Sequence, residues 1–173
     1  MIRVDSSNTI SDETVLCTFD ETDMAELLRI RLDFLRVDFR MSPTEEEALR
    51  AQLEQYYKDH LGVDFFAYGY TVGDQIVASA FLCVGTRPPN PIIQNGYYGY
   101  VSNVYTEPAY RCRGLASRLM KLIDEEAERL GLDAVELIAT KMGRPVYEKD
   151  GYQTIGGTFM RRRPMAEISS NGS

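Results

Sequence analysis

Arg111-Cys112-Arg113-Gly114-Leu115-Ala116-Ser117 stands between a strand and a long helix, and the reading of the fold starts from it. Upstream, Tyr98 to Thr106 is aromatic, β-branched and free of charge, so it predicts a strand. Glu107-Pro108 stops that strand, because proline has no ladder donor and holds its predecessor extended. Downstream, Leu115, Leu119, Leu122, Ile123, Ala127 and Leu130 recur at helical spacing, with Lys121, Asp124, Glu125, Glu128 and Arg129 on the opposite side. A first helical turn ordinarily collects acids. Here Arg111, Arg113 and Arg118 surround the helix start, and no acid is present from 111 to 118. Free N–H groups, a glycine and added cations at one helix start call for an anionic ligand. Gly114 is expected to let backbone come close to that ligand, where a Cβ would intrude. The bland alternative is a pair of solvated arginines beside a turn glycine.

Working outward, Glu13 to Phe19 suits an edge strand, and Asp20 or Thr22 can cap the helix that follows. That helix carries Met24, Leu28, Leu32, Leu35 and Phe39 as an apolar stripe, widened by Leu27, Ile30, Phe34 and Val37, which predicts a well-buried element. Arg29, Arg31, Asp33, Arg36 and Asp38 interleave with it, either as solvated edges or facing a substrate. Ser42-Pro43-Thr44-Glu45 is a capping box with proline at the first helical position. It opens a second helix that Gly62 ends. Phe65–Val72 and Gln75–Val84 form a hairpin around Gly73-Asp74, and the proline-bearing stretch Thr86–Gln94 is a loop. Ala134–Thr140 reads as a short buried strand, Met142–Asp150 as a short helix closed by Gly151, and Tyr152–Ile155 with Thr158–Arg162 as a closing strand pair. The fold class is therefore mixed α/β (α+β): a central, mostly antiparallel sheet with helices on both faces and one right-handed parallel crossover around the loop.

Length and composition fit one domain. The 173 residues divide into a loose N-terminus over 1–12, a single domain over 13–163 and a disordered tail over 164–173. A formal charge of −7 argues against general nucleic-acid binding, and no apolar run approaches membrane-spanning length. Cys17, Cys83 and Cys112 are odd in number and lack metal-ligand spacing, so a reducing cytoplasm and no metal are expected. His60 stands alone and reads as a helix-end residue.

Arg111-x-x-Gly114-x-Ala116 resembles the pyrophosphate loop of the GNAT superfamily, the acetyl-CoA-dependent N-acetyltransferases. Tyr147-Glu148-Lys149-Asp150-Gly151-Tyr152, one strand later, resembles the family's Tyr-x-Lys-x-Gly-Phe/Tyr segment. The resemblance runs from about Val15 to about Arg162 and implies acetyl-CoA as cosubstrate, with a small amine or peptide amine as acceptor. By position it implies that Arg111, Cys112, Arg113, Gly114, Leu115, Ala116 and Ser117 hold the pyrophosphate. It further implies that Val104, Tyr105 and Thr106 pair with the pantetheine amides and polarise the thioester carbonyl. Tyr147 would then face the CoA sulfur as the catalytic group. Thr140 stands where many relatives have asparagine. No general base is identified: Tyr100, Ser102 and Asn103 occupy the neighbourhood where some relatives place a glutamate, and Glu107 lies at the strand's end. A non-catalytic acetyl-CoA-binding module on the same fold is the alternative. A thiol enzyme built on Cys112 is a weaker rival, because no histidine base accompanies it. The acceptor's identity and the oligomeric state, a homodimer among the options, stay open.

Overall fold

The computed structural model describes residues 2–3, 14–156 and 160. Six strands hydrogen-bond in sequence order: β1 (Ile2–Arg3), β2 (Val15–Thr18), β3 (Phe65–Val72), β4 (Gln75–Thr86), β5 (Tyr97–Thr106) and β6 (Ala134–Leu137). All pairs are antiparallel except β5 with β6, the crossover pair. Helices α1 (Met24–Asp38) and α2 (Pro43–His60) cover one face, and α3 (Leu115–Arg129) and α4 (Arg144–Lys149) the other. The expected mixed sheet with helices on both faces is what forms.

The local signals explain most of these elements. Ser42 accepts from the Glu45 N–H while Glu45 reaches back to the Ser42 N–H, so both halves of the capping box exist at α2. Asp20 makes the same reciprocal pair with Asp23 around a short 3-10 turn that leads into α1. Val72 opposes Gln75 across Gly73-Asp74, a two-residue hairpin turn with Gly73 at positive φ. Leu115, Leu119, Met120, Ile123 and Ala127 of α3 are buried against Tyr68, Tyr70, Ala78, Ala80, Leu82 and Val101 of the sheet. On the other face Leu27, Leu28 and Ile30 pack with Tyr57, Phe65, Ala67 and Phe81.

Several expectations need correction. The strand expected over Glu13–Phe19 is Val15–Thr18, and it is not at the sheet's edge, because Ile2–Arg3 of the supposedly loose N-terminus pairs outside it. Helix α1 is buried only in its first half: Val37 and Phe39 are exposed, since the helix runs past the sheet. Strand β6 stops at Leu137 and is half-buried, with Ile138 in solvent. Helix α4 begins at Arg144, where Pro145 fits the first turn and its lost N–H costs nothing. Residues Tyr152–Ile155 form no strand. Of their expected partner Thr158–Arg162, all but Met160 lies outside the described residues, as does the tail over 164–173.

Candidate active site

The early end of β6 decides where the site lies. Tyr98 to Val101 of β5 pair with Ala134 to Leu137, but β5 continues five residues further with no strand opposite it on that side among the described residues. The Glu107 amide donates to the Val77 carbonyl on β4, so the pleat turns the peptide groups of Thr106 to the open edge. Strand β5 also bends there. Ala78, Ser79 and Phe81 of β4 oppose Thr106, Tyr105 and Ser102, leaving Asn103 and Val104 opposite the single residue Ala80. This is a β-bulge, and Asn103 takes φ 52° in it. The Asn103 side chain is buried and fixes the bend: Nδ2 donates to Ser79 Oγ at 3.0 Å, and Ser79 Oγ donates to the Asn103 carbonyl at 3.2 Å.

At the end of this opened strand a 3-10 turn (Pro108–Tyr110) leads into the loop that starts α3. Cys112 and Gly114 both have left-handed backbone, with φ 61° and 75° and an extended Arg111 before them. Backbone that alternates hand in this way gathers successive N–H groups into an anion-binding concavity. No side chain caps α3 and its first turn holds no acid, so these donors have no protein partner of the usual kind. Leu115 is buried, anchoring the helix start, whereas Arg111, Cys112, Arg113 and Gly114 are exposed and Ala116 and Ser117 half-exposed. The reason for glycine at 114 is its φ: a Cβ there would meet nothing within 4 Å in the free protein.

Arg111 and Arg113 brace the loop instead of hanging in solvent. Arg111 Nε donates to the Thr106 carbonyl at 3.0 Å, tying loop to strand end, and Arg113 donates to the Ala109 carbonyl at 3.1 Å. Neither pairs with a carboxylate among the described residues, so both charges stay available to an anion. Beside the loop runs an open cleft of about 570 Å³ between α3 and the end of α4, with Ser117, Arg118, Lys121, Lys149 and Gly151 on its walls together with two acids, Asp124 and Asp150. Of the cations of this cleft, only Arg118 stands out in the sequence, at the helix start. Their spacing on α3 and the Tyr-x-Lys segment carry the signal, but only folding brings Lys149 to Arg118.

Tyr147 belongs to the same apolar cluster as Leu115, Leu119 and, from the open strand, Val104. It is 9% exposed, and its hydroxyl has no hydrogen-bond partner among the described residues. Burial raises its pKa, so the phenol keeps its proton and remains a donor. The ring lies back over Gly143, where a Cβ would come within 2.9 Å of Tyr147 Cε2. Thr140 shapes the turn before α4: its Oγ1 accepts from the Gly143 N–H at 3.1 Å and its carbonyl from the Arg144 N–H at 3.0 Å.

Glu107 is not a solvated strand-end acid. Its side chain is 17% exposed and meets Arg29 Nη1 at 2.8 Å, while Gln75 Nε2 donates to the same carboxylate. Arg29 is shared with Glu26 and Asp33 of its own helix. The group ties α1 to the end of β5. His60 sits at the end of α2 on Asp64, 2.7 Å away, stacked on Tyr56, as a helix-end residue should. Cys112 is exposed and Cys17 and Cys83 are elsewhere in the sheet, so no second thiol accompanies it. Among the described residues no group of three or more His, Cys, Asp or Glu side chains is placed to hold a metal, and no helix is long and apolar enough to cross a membrane.

Comparison with known proteins agrees with this geometry. The acetyltransferase (GNAT) family model matches residues 25–152. Among solved structures, a predicted acetyltransferase with acetyl-CoA from Clostridium acetobutylicum is similar with a TM-score of 0.75 at 25% identity, over 86% of this chain and 96% of that one. A GCN5-related N-acetyltransferase from Ralstonia eutropha JMP134 gives 0.72 at 24% identity, over 86% and 98%. A ribosomal-protein-alanine N-acetyltransferase from Brucella melitensis biovar Abortus 2308 gives 0.64 at 17% identity, over 87% and 99%. A sequence search of curated proteins finds no significant match. With a family model spanning most of its length and a matching sheet, the chain belongs to the GNAT acetyltransferase family.

Proposed function

We propose that the protein transfers the acetyl group of acetyl-CoA to a primary amine, by direct attack with both substrates bound together. One observation carries the reading: a protonated, buried and unpartnered Tyr147 beside the unpaired end of β5, on the path from an anion loop. In this reading the N–H groups of Cys112 to Ser117 take the pyrophosphate, with Arg111 and Arg113 supplying charge. The cleft of Arg118, Lys121 and Lys149 takes the remaining phosphate charge. Val104, Tyr105 and Thr106 accept the pantetheine arm as an added strand, and Thr140 borders that arm from the turn before α4.

The chemistry follows from where charge moves. The amine lone pair forms the C–N bond, negative charge builds on the carbonyl oxygen, and then the C–S bond breaks. Backbone donors at the open edge of β5 serve the oxygen, and the Tyr147 hydroxyl serves the departing sulfur. The amine's proton leaves and a proton ends on the CoA thiol, so the sum is thioester plus amine to amide plus thiol. No side chain is assigned as general base. Glu107 is engaged by Arg29 and Gln75, so an amine arriving neutral needs no base before attack, and a water relay accepts the proton it sheds afterwards.

The test is purified protein with acetyl-CoA and an amine panel, read by thiol release. Release that depends on an amine supports transfer. Acetyl-CoA binding without release from any amine would instead favour the non-catalytic binding module.

A further inference from the structure

Helix α1 carries three arginines, and two are satisfied by acids. Arg29 holds Glu26, Asp33 and Glu107, and Arg36 holds Asp33 and Glu46. Arg31 differs. Among the described residues no carboxylate pairs with it; its Nη1 donates to Asn103 Oδ1 at 3.3 Å, and its guanidinium lies 5.6 Å from the Phe34 ring centroid. Asn103 is the bulge residue of β5, so this unneutralised cation stands at the bend of the open strand, on the sheet face that α1 and α2 cover.

A second group in the same region also lacks a partner. Tyr57 of α2 is 1% exposed, and its buried hydroxyl makes no hydrogen bond. Leaving such a hydroxyl unpaired is costly, which is why buried phenols almost always find an acceptor. The Tyr57 ring meets Phe81 edge-on at 6.3 Å, and Phe81 pairs with Ser102, the neighbour of the Asn103 that Arg31 bonds, so the two groups lie over the same part of the sheet. The carboxylate that acts on neighbouring Tyr56 and Cys83, Asp64, is already held by His60. Phe34, Tyr56 and Tyr105 supply aromatic surface around the pair, with Phe34 edge-on to Tyr105 at 6.3 Å.

We propose that the acceptor is an amine bearing its own carboxylate, held by Arg31 and Tyr57 with the amine turned toward the bulge at Asn103. This rests on the transferase reading and specifies its second substrate. A guanidinium fork and one neutral hydroxyl donor match the shape and single charge of a carboxylate. A phosphate dianion would need a second cation, and a polyamine would meet an unneutralised positive charge. The aromatic walls fit an apolar body, so α-amino acids with apolar side chains are the class.

The experiment compares each α-amino acid of a panel with the amine left by removing its carboxylate, phenylalanine with phenethylamine for example, and adds spermidine. In the wild type, kcat/KM for the acid exceeds that for its decarboxylated partner by at least about tenfold. Arg31→Gln collapses that ratio toward one while acetyl-CoA still raises Tm, and Tyr57→Phe lowers it partway. Equal or better turnover of the decarboxylated amines or spermidine, or a ratio that survives Arg31→Gln, overturns the proposal. If no amine releases thiol, the transferase reading fails on the panel, and binding decides the Arg31 assignment separately. Thermal stabilisation by N-acetylphenylalanine but not by N-acetylphenethylamine, lost in Arg31→Gln, upholds it. Equal response to the two overturns it.

Discussion

Gly114 separates two reasons for a glycine, and substitution can tell them apart. Its φ of 75° is a conformation that an L residue adopts at a cost of about 1–2 kcal/mol, while a Cβ would touch nothing in the free protein. For a chain of this size each kcal/mol shifts Tm by roughly 2–4 °C, so Gly114→Ala should lower Tm by about 2–8 °C. Asparagine tolerates left-handed backbone far better, and Gly114→Asn should recover most of that loss. Acetyl-CoA at about 100 times its Kd should stabilise the wild type by ~2.7 kcal/mol, a rise of roughly 5–11 °C. If the loop backbone must touch the pyrophosphate, any side chain at 114 stands in the way. Gly114→Asn should then be nearly as stable as wild type and yet show little of that rise. The assay is thermal unfolding with and without millimolar acetyl-CoA on the three proteins. A full rise in the asparagine variant would refute the loop as the pyrophosphate site, and an unfolded variant would refute the reasoning from φ.

Tyr147→Phe should lower kcat at least about tenfold, ~1.4 kcal/mol of transition-state stabilisation, with acetyl-CoA affinity nearly unchanged. Because burial raises the Tyr147 pKa, its proton is lost only above the usual phenol range, and the wild-type pH–rate profile should show no alkaline tyrosine limb up to about pH 10. Cys112→Gly should keep turnover within a few-fold and be about 1 kcal/mol more stable than Cys112→Ala by urea unfolding, since Cys112 sits at φ 61°; a dead variant or a trapped acetyl-cysteine would revive the thiol rival. Glu107→Gln should leave kcat near wild type but cost about 1–2 kcal/mol, between the exposed and buried limits for an ion pair; a large fall in kcat without loss of stability would make Glu107 the base after all.

What the sequence made legible was local. The capping box at Ser42, the two-residue hairpin turn at Gly73 and the apolar face of α3 each lie within a few residues and are set by backbone preference and helical spacing. The uncapped, acid-free start of α3 behind Gly114 is of the same kind. What escaped depends on distant partners. Glu107 reads as a solvated acid until Arg29, 78 positions away, is folded against it. Arg31 looks like its neighbours on α1 until their carboxylates are counted. The bulge had a faint signal, an asparagine inside a β-branched and aromatic run, where asparagine is otherwise depleted but suits positive φ.

That bulge gives β5 a phase slip. Before it, Val101 packs toward α3; after it, Val104 does so again and Tyr105 turns toward α1, an odd step where an unbroken strand would keep even ones. The strand is thus two rulers joined one notch out of step. Its upstream half is indexed to β6, and its downstream half to the helices that flank the site. Removing Asn103 would restore even spacing with Val104 still toward α3 and Tyr105 still toward α1, at the loss of the buried Asn103 side chain and its bonds to Ser79 and Arg31. The kind of residue at this joint is therefore held more tightly than the number. Both Asn103→Gly and deletion of Asn103 should unfold cooperatively, each less stable than the wild type for want of the side chain that bonds Ser79 and Arg31.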